Sequence, residues 1–354
     1  MIVQFILALA TLIFIHELGH FIAARLFKID VEEFGIGFPP RALTLFEAGG
    51  TKFTLNWIPL GGFVRPKGEN DPNVPGGLAA ASPWVRISVY LAGPLMNLLT
   101  AVVIYTIVYA NLGAPDPSRA NMVAINAVVN GSVAEAAGLK ENDVVYQVND
   151  QELTGVDSLI KIIHDNAGTP LTLYYYRGDQ IGELTITPKA NNAGEGEIGV
   201  VIGEPSVPLS LPASVRMGAQ EVYLQARNLL TALGQVVSGS QQDNSVRFVG
   251  IKGLYDIFSN IKQTESQIPT SVPRVGLLEL FGFVSFSLGL LNLFPIPALD
   301  GGRIVFALPE IILRRRIPPE YENVINLVSF ALLLILLIYI NLQDFINPLF
   351  QSKP

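Results

Sequence analysis

The stretch FIHELGHFIAARLF, residues 14–27, places His16, Glu17 and His20 inside an otherwise apolar run. Apolar residues dominate from Met1 to Phe27, and a run of this length predicts a membrane-spanning helix. An ionisable side chain within such a helix costs at least a few kcal/mol, so its presence there indicates a functional site. Two histidines satisfied at an interface between helices are the competing interpretation, and the cost of burial argues against it.

The composition is that of a membrane-embedded protein. The 354 residues are 50% hydrophobic and 15% charged, with a mean hydropathy of +0.42, whereas a soluble chain carries about 25% charged residues. The absence of cysteine excludes disulfides and thiolate metal sites. Two of the three histidines lie in the opening stretch, so histidine chemistry is concentrated there. No block of the sequence is basic enough to bind nucleic acid.

Four apolar segments are predicted to cross the membrane, which gives the fold class of a polytopic α-helical membrane protein. They are Met1–Phe27, Ile87–Gly113, Leu277–Leu299 and Val324–Leu342. The first segment lacks the charged start and the small-residue cleavage site of a signal peptide. Four spans leave both termini on the same side of the bilayer.

Positive residues near the spans indicate the orientation. Arg25 and Lys28 follow the first span, and Arg86 precedes the second. Arg303 and the arginines at 314–316 separate the third span from the fourth. This face is therefore predicted to be cytoplasmic, and both termini and the middle of the chain are predicted to be extracytoplasmic.

The negative charge of the chain is concentrated in residues 114–212, which hold thirteen acidic and five basic residues. Such a block predicts a separate soluble domain with a solvated surface. Strand-like runs at 143–148, 171–176 and 183–186 flank a helix-like run at Val156–Asn166. An inserted α+β domain is therefore expected here.

The same block resembles a PDZ domain. A small-helix stretch at Ala134–Gly138 is followed by NDVVYQVND, residues 142–150. Most PDZ domains read G-D-x-I-x-x-V-N-G there, and Asn142 and Asp150 replace the two glycines with residues that are also compatible with turns. By this resemblance the block would bind extended peptides along a sheet edge beside a helix.

Two further regions are predicted to contain regular structure. Residues 31–69 contain short alternating runs and the pairs Gly49–Gly50 and Gly61–Gly62, a pattern typical of hairpin strands, with an ordinary cytoplasmic loop as the alternative. Ala213–Leu233 has helical periodicity with mixed charge. This segment is expected either to lie along the membrane surface or to pack as a soluble helix.

These features divide the chain into four predicted regions. The N-terminal membrane region is 1–113, and the extracytoplasmic PDZ-like domain is 114–212. A membrane-surface or linker segment at 213–276 leads into the C-terminal membrane region, 277–354.

The spacing of the histidines predicts a metal site. His16 and His20 are four residues apart, so on a helix they share one face, one turn apart. Two imidazoles at this spacing can bind one zinc ion, and Glu17 projects beside them towards the site. A catalytic zinc usually has three protein ligands and one open position. The sequence therefore requires one more ligand.

The third ligand should be a carboxylate, because no further histidine lies in a predicted span. Glu279 and Asp300 are the carboxylates in apolar surroundings. Asp300 follows a backbone broken by Pro295 and Pro297, which is tolerated at membrane depth where it is buried or lines a cavity. The predicted topology places His20 and Asp300 near the cytoplasmic face and Glu279 near the opposite one. Asp300 is therefore the predicted ligand.

Three motifs, in this order along the chain, resemble those of the site-2 protease family of intramembrane zinc metalloproteases. They are HELGH in the first span, GPLMN (Gly93–Asn97) in the second and NLFPIPALDGG in the third. The resemblance covers nearly the whole chain and is closest to the bacterial branch with an extracytoplasmic PDZ domain. It implies a multi-pass protein of the bacterial inner membrane. Such a protein cleaves transmembrane segments of single-span substrates, such as anti-sigma factors or remnant signal peptides, after a site-1 protease has cut them.

The resemblance also implies roles for individual residues. The ligands of Zn²⁺ would be His16, His20 and Asp300, with Glu17 as the catalytic glutamate. The residues that would lie beside the active site or line the substrate cleft are Asn97, Asn292, Pro295 and Pro297. The glycine-rich strands after the first span would form a β-structure that re-enters the lipid bilayer and pairs with unwound substrate.

Two features of the sequence depart from the family pattern. The chain has room for one PDZ domain where two are common, and VRFVGIKG (Val246–Gly253) replaces an L-S-G-P-V-G-I-like segment.

A zinc-handling transporter would use the same site without hydrolysis, but its usual internal repeats are not seen in the sequence. A catalytically idle PDZ scaffold would leave Glu17 unexplained. The PDZ block itself could exclude uncut substrates by size or could capture a new C-terminus.

Overall fold

The computed structural model describes residues 1–191, 193–238, 248–267 and 272–349. The chain divides into two compact units. The first unit draws on Met1–Tyr105, Met217–Asn260 and Leu277–Pro354. The second unit draws on Thr106–Arg216 and Ile261–Gly276.

Helices and strands alternate along the chain as follows. The helices are α1 (Ile2–Leu26), α2 (Pro83–Leu112), α3 (Val133–Ala136), α4 (Val156–Asp165), α5 (Leu211–Ser238), α6 (Ile251–Gln267), α7 (Gly276–Asn292), α8 (Asp300–Leu313) and α9 (Pro319–Ile346). The strands are β1 (Val31–Ala48), β2 (Thr51–Pro66), β3 (Ala114–Pro115), β4 (Val123–Val128), β5 (Asp143–Val148), β6 (Gln151–Glu152), β7 (Leu171–Arg177), β8 (Gln180–Ile186), β9 (Lys189–Ala190), β10 (Gly196–Glu197), β11 (Val200–Gly203) and β12 (Ser206–Val207).

Three helices of the described chain, α1, α2 and α9, are long and apolar enough to cross a membrane. The third predicted span, Leu277–Leu299, is not one helix, because α7 ends at Asn292 and α8 begins at Asp300. Pro295 and Pro297 lie between them and lack the backbone N–H that a continuing helix requires. The 17 residues of α7 extend over roughly 25 Å at 1.5 Å per residue.

Small residues let α1 and α7 approach α2 closely. A Cβ at Gly19 of α1 would overlap the α2 backbone, and a Cβ at Gly282 or Gly289 of α7 would press against α2. Ser285, between these two glycines, donates a hydrogen bond from Oγ to the Asn97 carbonyl at 2.9 Å. Such small-residue contacts are how helices associate in lipid. They bring the HELGH segment and Asn97 together.

Strands β1 and β2 fold over into four paired segments. Residues 31–36 pair with 62–66 on one side and with 51–56 on the other, and 41–48 also pair with 51–56. The turn between the two strands is Gly49–Gly50, where both residues have positive φ. Within this small sheet, segment 62–66 is therefore an edge.

Glu33 holds this sheet together from inside. It is 3% exposed and accepts hydrogen bonds from Thr54 Oγ1 at 2.8 Å and Arg41 Nε at 3.0 Å. Arg65 lies 3.1 Å from the same carboxylate. Burial alone would raise the pKa of Glu33, but the hydrogen bonds from Thr54 and Arg41 and the two arginine charges outweigh it and lower that pKa.

The segment that leads into α6 docks against the end of α9. Asp344 accepts hydrogen bonds from the backbone N–H groups of Gly250, at 2.8 Å, and Gly253, at 3.0 Å. A Cβ at either glycine would lie within 2.9 Å of this carboxylate, so a larger residue would be crowded there. These contacts give a structural role to Gly250 and Gly253 within Val246–Gly253, of which residues 246 and 247 lie outside the described part.

The second unit is built on a sheet in the order β11-β4-β5-β7-β8, with β6 paired to β5. Its core side chains come from the sheet, from α3 and α4 and from the connecting segments, and include Ile125, Val145, Leu159 and Leu173, all fully buried. The structure therefore has the α+β character expected for 114–212. Strands β4 and β11 were not predicted, since both are short apolar runs without clear alternation.

Candidate active site

His16 and His20 of α1 and Asp300 at the start of α8 meet at one point. Asp300 Oδ2 lies 3.1 Å from His16 Nε2 and 3.3 Å from His20 Nε2, and the two Nε2 atoms lie 3.2 Å apart. Both histidines are buried. Within the described residues, these three form the one cluster of donor side chains close enough to hold a metal ion.

The three donor atoms fit zinc. In a tetrahedral site with zinc–ligand distances of about 2.0–2.1 Å, the ligand atoms lie roughly 3.3–3.4 Å apart. The observed separations of 3.1–3.3 Å are close to these values. Two imidazoles and a carboxylate are also the donors of many catalytic zinc sites, which leave a fourth position open.

The contacts behind the histidines favour the tautomer that binds a metal through Nε2. His20 Nδ1 lies 2.8 Å from the Val89 carbonyl, which can only accept, so Nδ1 carries the proton. His16 Nδ1 lies 3.4 Å from the Asn97 amide. Asn97 is fully buried and its Oδ1 has no hydrogen-bond partner within the described chain. Turning this amide over pairs Oδ1 with His16 Nδ1–H.

Gly93 of α2 leaves the space that the imidazoles occupy. A Cβ at this position would overlap the rings of His20 and His16. The GPLMN motif was singled out in the sequence for Asn97, and the structure adds its glycine. A glycine four residues before Asn97, on the same helix face, was the available sequence signal.

Glu17 lies in the wall of a cavity of about 590 Å³. Gly62 and Val64 of β2 line the same cavity, and a Cβ at Gly62 would lie 3.3 Å from Glu17 Cγ. The same cavity is lined by His16, His20 and Asp300, so the carboxylate and the three donors open into one space. A cavity of this size accommodates a substrate segment of a few residues.

The predicted cleft residues divide into two groups. Asn97 and Asn292 line the cavity. Pro295 is exposed and Pro297 is half-buried, and neither is part of the cavity wall among the described residues. Both prolines instead belong to the turn that precedes Asp300.

Other cavity residues were not predicted from the sequence. Residues 61–66 of β2 form one wall, and Phe330 of α9 contributes from another side. Arg303 forms an ion pair with Glu69 beside the donors. Arginine and glutamate so far apart in the chain carry no local signal that they meet.

The comparisons with known proteins identify the family of the chain. Residues 4–336 match the model of peptidase family M50. A relative from Clostridium perfringens, whose assigned name is that of a zinc metalloprotease, is 30% identical over 97% of this chain and 98% of its own length. The zinc metalloprotease RasP of Bacillus licheniformis is 27% identical over 97% of this chain and 98% of its own length.

A comparison with solved structures finds PDZ domains. The solved PDZ domain of an SdrC-like protein from Listeria monocytogenes is 20% identical, with a TM-score of 0.22, and covers 23% of this chain and 87% of that one. The family match covers most of the chain, including both ends of the donor cluster. The chain therefore belongs to peptidase family M50 and is an intramembrane zinc metalloprotease.

Proposed function

We propose that this protease cleaves single-span membrane proteins within their transmembrane segments, using a zinc site made of His16, His20 and Asp300. The observation that carries the proposal is the convergence of the three donor atoms, 3.1–3.3 Å apart, beside Glu17 in one cavity. Membrane-bound proteins are the substrates on which this family acts. The scaffold alternative leaves Glu17 without a use, and the internal repeats usual in a transporter are not seen in the sequence.

Glu17 is the proposed general base. A zinc ion held by these donors supplies Lewis acidity, which acidifies water and polarises a carbonyl. Glu17 accepts a proton from the water that attacks the scissile carbonyl carbon, and the C–N bond breaks as Glu17 delivers that proton to the departing amine.

Asn97 has two proposed tasks. With Oδ1 accepting from His16 Nδ1–H, the amide fixes the tautomer and the ring orientation of that ligand. Its Nδ2 group then points away from the imidazole and can donate a hydrogen bond to the charge that develops on the substrate carbonyl oxygen. The carbonyl of Asn97 is already held by Ser285, which keeps this part of α2 in place.

A substrate helix must unwind before attack, because its peptide groups are hydrogen-bonded to one another. Lipid cannot replace the lost hydrogen bonds. Segment 62–66 is an edge of the β1–β2 sheet and lines the cavity. We expect the unwound substrate to pair with this edge as an added strand, which brings its backbone next to Glu17. Asn292, in the same wall, is a further candidate contact.

We propose four membrane crossings, with α7 and the following turn as the third. Helix α7 is shorter than the roughly 30 Å of a hydrocarbon core, and the turn supplies the remaining depth. The positive residues near the spans place the active site towards the cytoplasm in the bacterial inner membrane. Both termini and the PDZ-like block are then extracytoplasmic.

The proposed site is tested by zinc content. The protein is purified in detergent and its zinc is measured by elemental analysis in the parent, in Asp300→Ala and in Glu279→Ala. We expect about one zinc per chain in the parent and a large loss in Asp300→Ala. Glu279→Ala is the matched control, since it removes the other carboxylate considered from the sequence, and it should keep its zinc. A zinc-replete Asp300→Ala protein would contradict the proposal.

A further inference from the structure

We propose that Asn326 of α9 is a positioning residue for Asp300, because it fixes the turn from which this zinc ligand projects. The inference rests on the proposed function, since it concerns a residue that acts through a proposed ligand. It assigns to the last helix a part in building the metal site.

Not every backbone N–H of the turn between α7 and α8 is bonded within the turn. Pro295 and Pro297 have no N–H to donate. The N–H of Ile296 bonds to the Phe294 carbonyl at 2.7 Å. Leu299 N–H bonds to the carbonyl of Ile296 at 3.1 Å. The N–H groups of Leu293 and Phe294 bond back to α7 carbonyls, each at 3.0 Å. The residue between the second proline and Leu299 donates to none of these short-range bonds and is held from outside.

That residue is Ala298, and its conformation needs support. Its φ is +74°, a region that residues with a Cβ rarely adopt. Its backbone N–H donates to Asn326 Oδ1 at 3.0 Å. The hydrogen bond from α9 therefore stabilises a conformation that the turn would otherwise tend to leave.

Asp300 follows two residues later as the first residue of α8. Leu299, at the N-cap, supplies no side-chain cap to this helix, so the helix start is held by the turn. A Cβ at Gly301 would overlap the carbonyls of Leu293 and Phe294. Because α8 begins in such close contact with the turn, a shift at Ala298 moves Asp300 away from the histidines.

Helix α9 offers little else that explains an asparagine here. Nothing in its most apolar 18-residue window is buried within the described structure, so most of its surface is left for lipid. An amide on such a helix is costly unless it is hydrogen-bonded to a neighbour. Phe330, one turn further along, lines the cavity, so this face of α9 already belongs to the site.

The test measures zinc affinity. The full-length protein in detergent is titrated with Zn²⁺ against a competing chelator, comparing the parent with Asn326→Leu and Asn341→Leu. Asn341 is the matched control, because it is an asparagine of the same helix whose Oδ1 accepts from Lys252 N–H at 3.2 Å. We expect the zinc Kd to rise about five- to tenfold in Asn326→Leu, as for the loss of one hydrogen bond, and to stay at the parent value in Asn341→Leu.

A second substitution separates support of the turn from general repacking. Glycine adopts positive φ readily, so Ala298→Gly added to Asn326→Leu should recover most of the lost affinity. Failure to recover would assign the loss to the new leucine side chain and overturn the inference. Equal losses in the two single variants would overturn it too.

The outcome is also separable from that of the proposed function. If Asp300→Ala loses its zinc while Asn326→Leu keeps the parent Kd, Asp300 remains a ligand and only the role of Asn326 is wrong. If Asp300→Ala keeps its zinc, the proposed site itself is wrong.

Discussion

Glu17 lies beside the three donors and is not one of them. A substitution at Glu17 can therefore affect catalysis without affecting zinc binding. Glu17→Gln keeps the size of the side chain but cannot accept the proton from water. We expect cleavage of a membrane substrate to fall by at least 100-fold, while bound zinc stays at the parent level by elemental analysis. Cleavage at the parent rate by the purified variant would show that the base is another group.

Gly93 is a second residue that acts through its direct contacts with the site. A Cβ there would overlap two imidazoles, and the rings are held from behind, so Gly93→Ala should displace them. We expect at least a tenfold loss of zinc affinity, since overpacked sites are relieved by moving side chains. Zinc titration in detergent measures this.

Gly234 is the matched control for this substitution. It also lies within a helix, α5, but a Cβ there would meet nothing within 4 Å. Gly234→Ala should leave zinc affinity unchanged and add about 0.5–1 kcal/mol of stability, as alanine does in helices. If both variants bind zinc like the parent, the close approach of Gly93 does not constrain the site.

Individual site residues could be predicted from the sequence where the type of side chain and its spacing indicate the same chemistry. The four-residue spacing of His16 and His20 predicts a shared face. The proline-broken backbone and the predicted topology favour Asp300 as the third donor, and the structure brings all three together. Gly93, Asn326 and the pair of Arg303 with Glu69 could not be predicted in these roles. Their functions depend on which helix faces which, and a single sequence does not contain that information.

The β1–β2 sheet depends on the buried Glu33 carboxylate. Its pKa lies below the usual value of 4.5, so the charged form stabilises the folded sheet at pH values above about 4.5, and this contribution is lost as the pH falls through the lowered pKa. We expect Glu33→Gln to destabilise the protein at pH 7 by about 1.5–3 kcal/mol, as for a lost charged hydrogen-bond group.

The pH dependence provides the check on this prediction. Thermal unfolding in detergent should separate parent and Glu33→Gln clearly at pH 7 and much less at pH 3. Glu47 is exposed on the same strand, and Glu47→Gln should follow the parent at both pH values. A constant difference between parent and Glu33→Gln across this range would mean that the carboxylate charge does not stabilise the sheet.

Some helices and strands could be predicted from the sequence pattern and others could not. A long apolar run such as Val324–Leu342 predicts a helix well, and α9 contains it. The run Leu277–Leu299 was read as one span, but two prolines end α7 early and leave a turn, because a proline cannot continue the hydrogen bonding of a helix. The folding of two strands into four segments depends on pairings that are distant in sequence, so it was not predicted.

At the scale of the whole molecule, the part of the second unit between β3 and β12 can be removed at a defined place. Strands β3 and β12 pair through Ala114 with Val207 and Pro115 with Ser206, so the chain enters and leaves at neighbouring positions. A short Gly-Ser linker replacing Asn121–Pro205 should leave the zinc content at the parent level. If the block acts as a size filter in the parent, the variant should cleave full-length substrates that the parent spares.

The opposite result has a clear meaning. If the deletion variant retains zinc but no longer cleaves a trimmed substrate, the block captures new C-termini instead of excluding large proteins. The edge strand β11 would then be the first place to look, since PDZ domains add a peptide strand at a sheet edge. Measuring the zinc content of the deletion variant distinguishes a folded variant, which retains zinc, from one that fails to fold.

The proposed donors His16 and Asp300 are 284 residues apart, and this separation matters while the chain is being made. At about 5–20 residues per second, roughly 15–60 s pass between the synthesis of the first donor and the last. Until then the growing chain holds its two histidines among other newly inserted membrane proteins without the third donor, and without Asn326 to hold the turn. With the proposed donors, we expect the protease to become able to cut only after Asp300 and Asn326 have been synthesised.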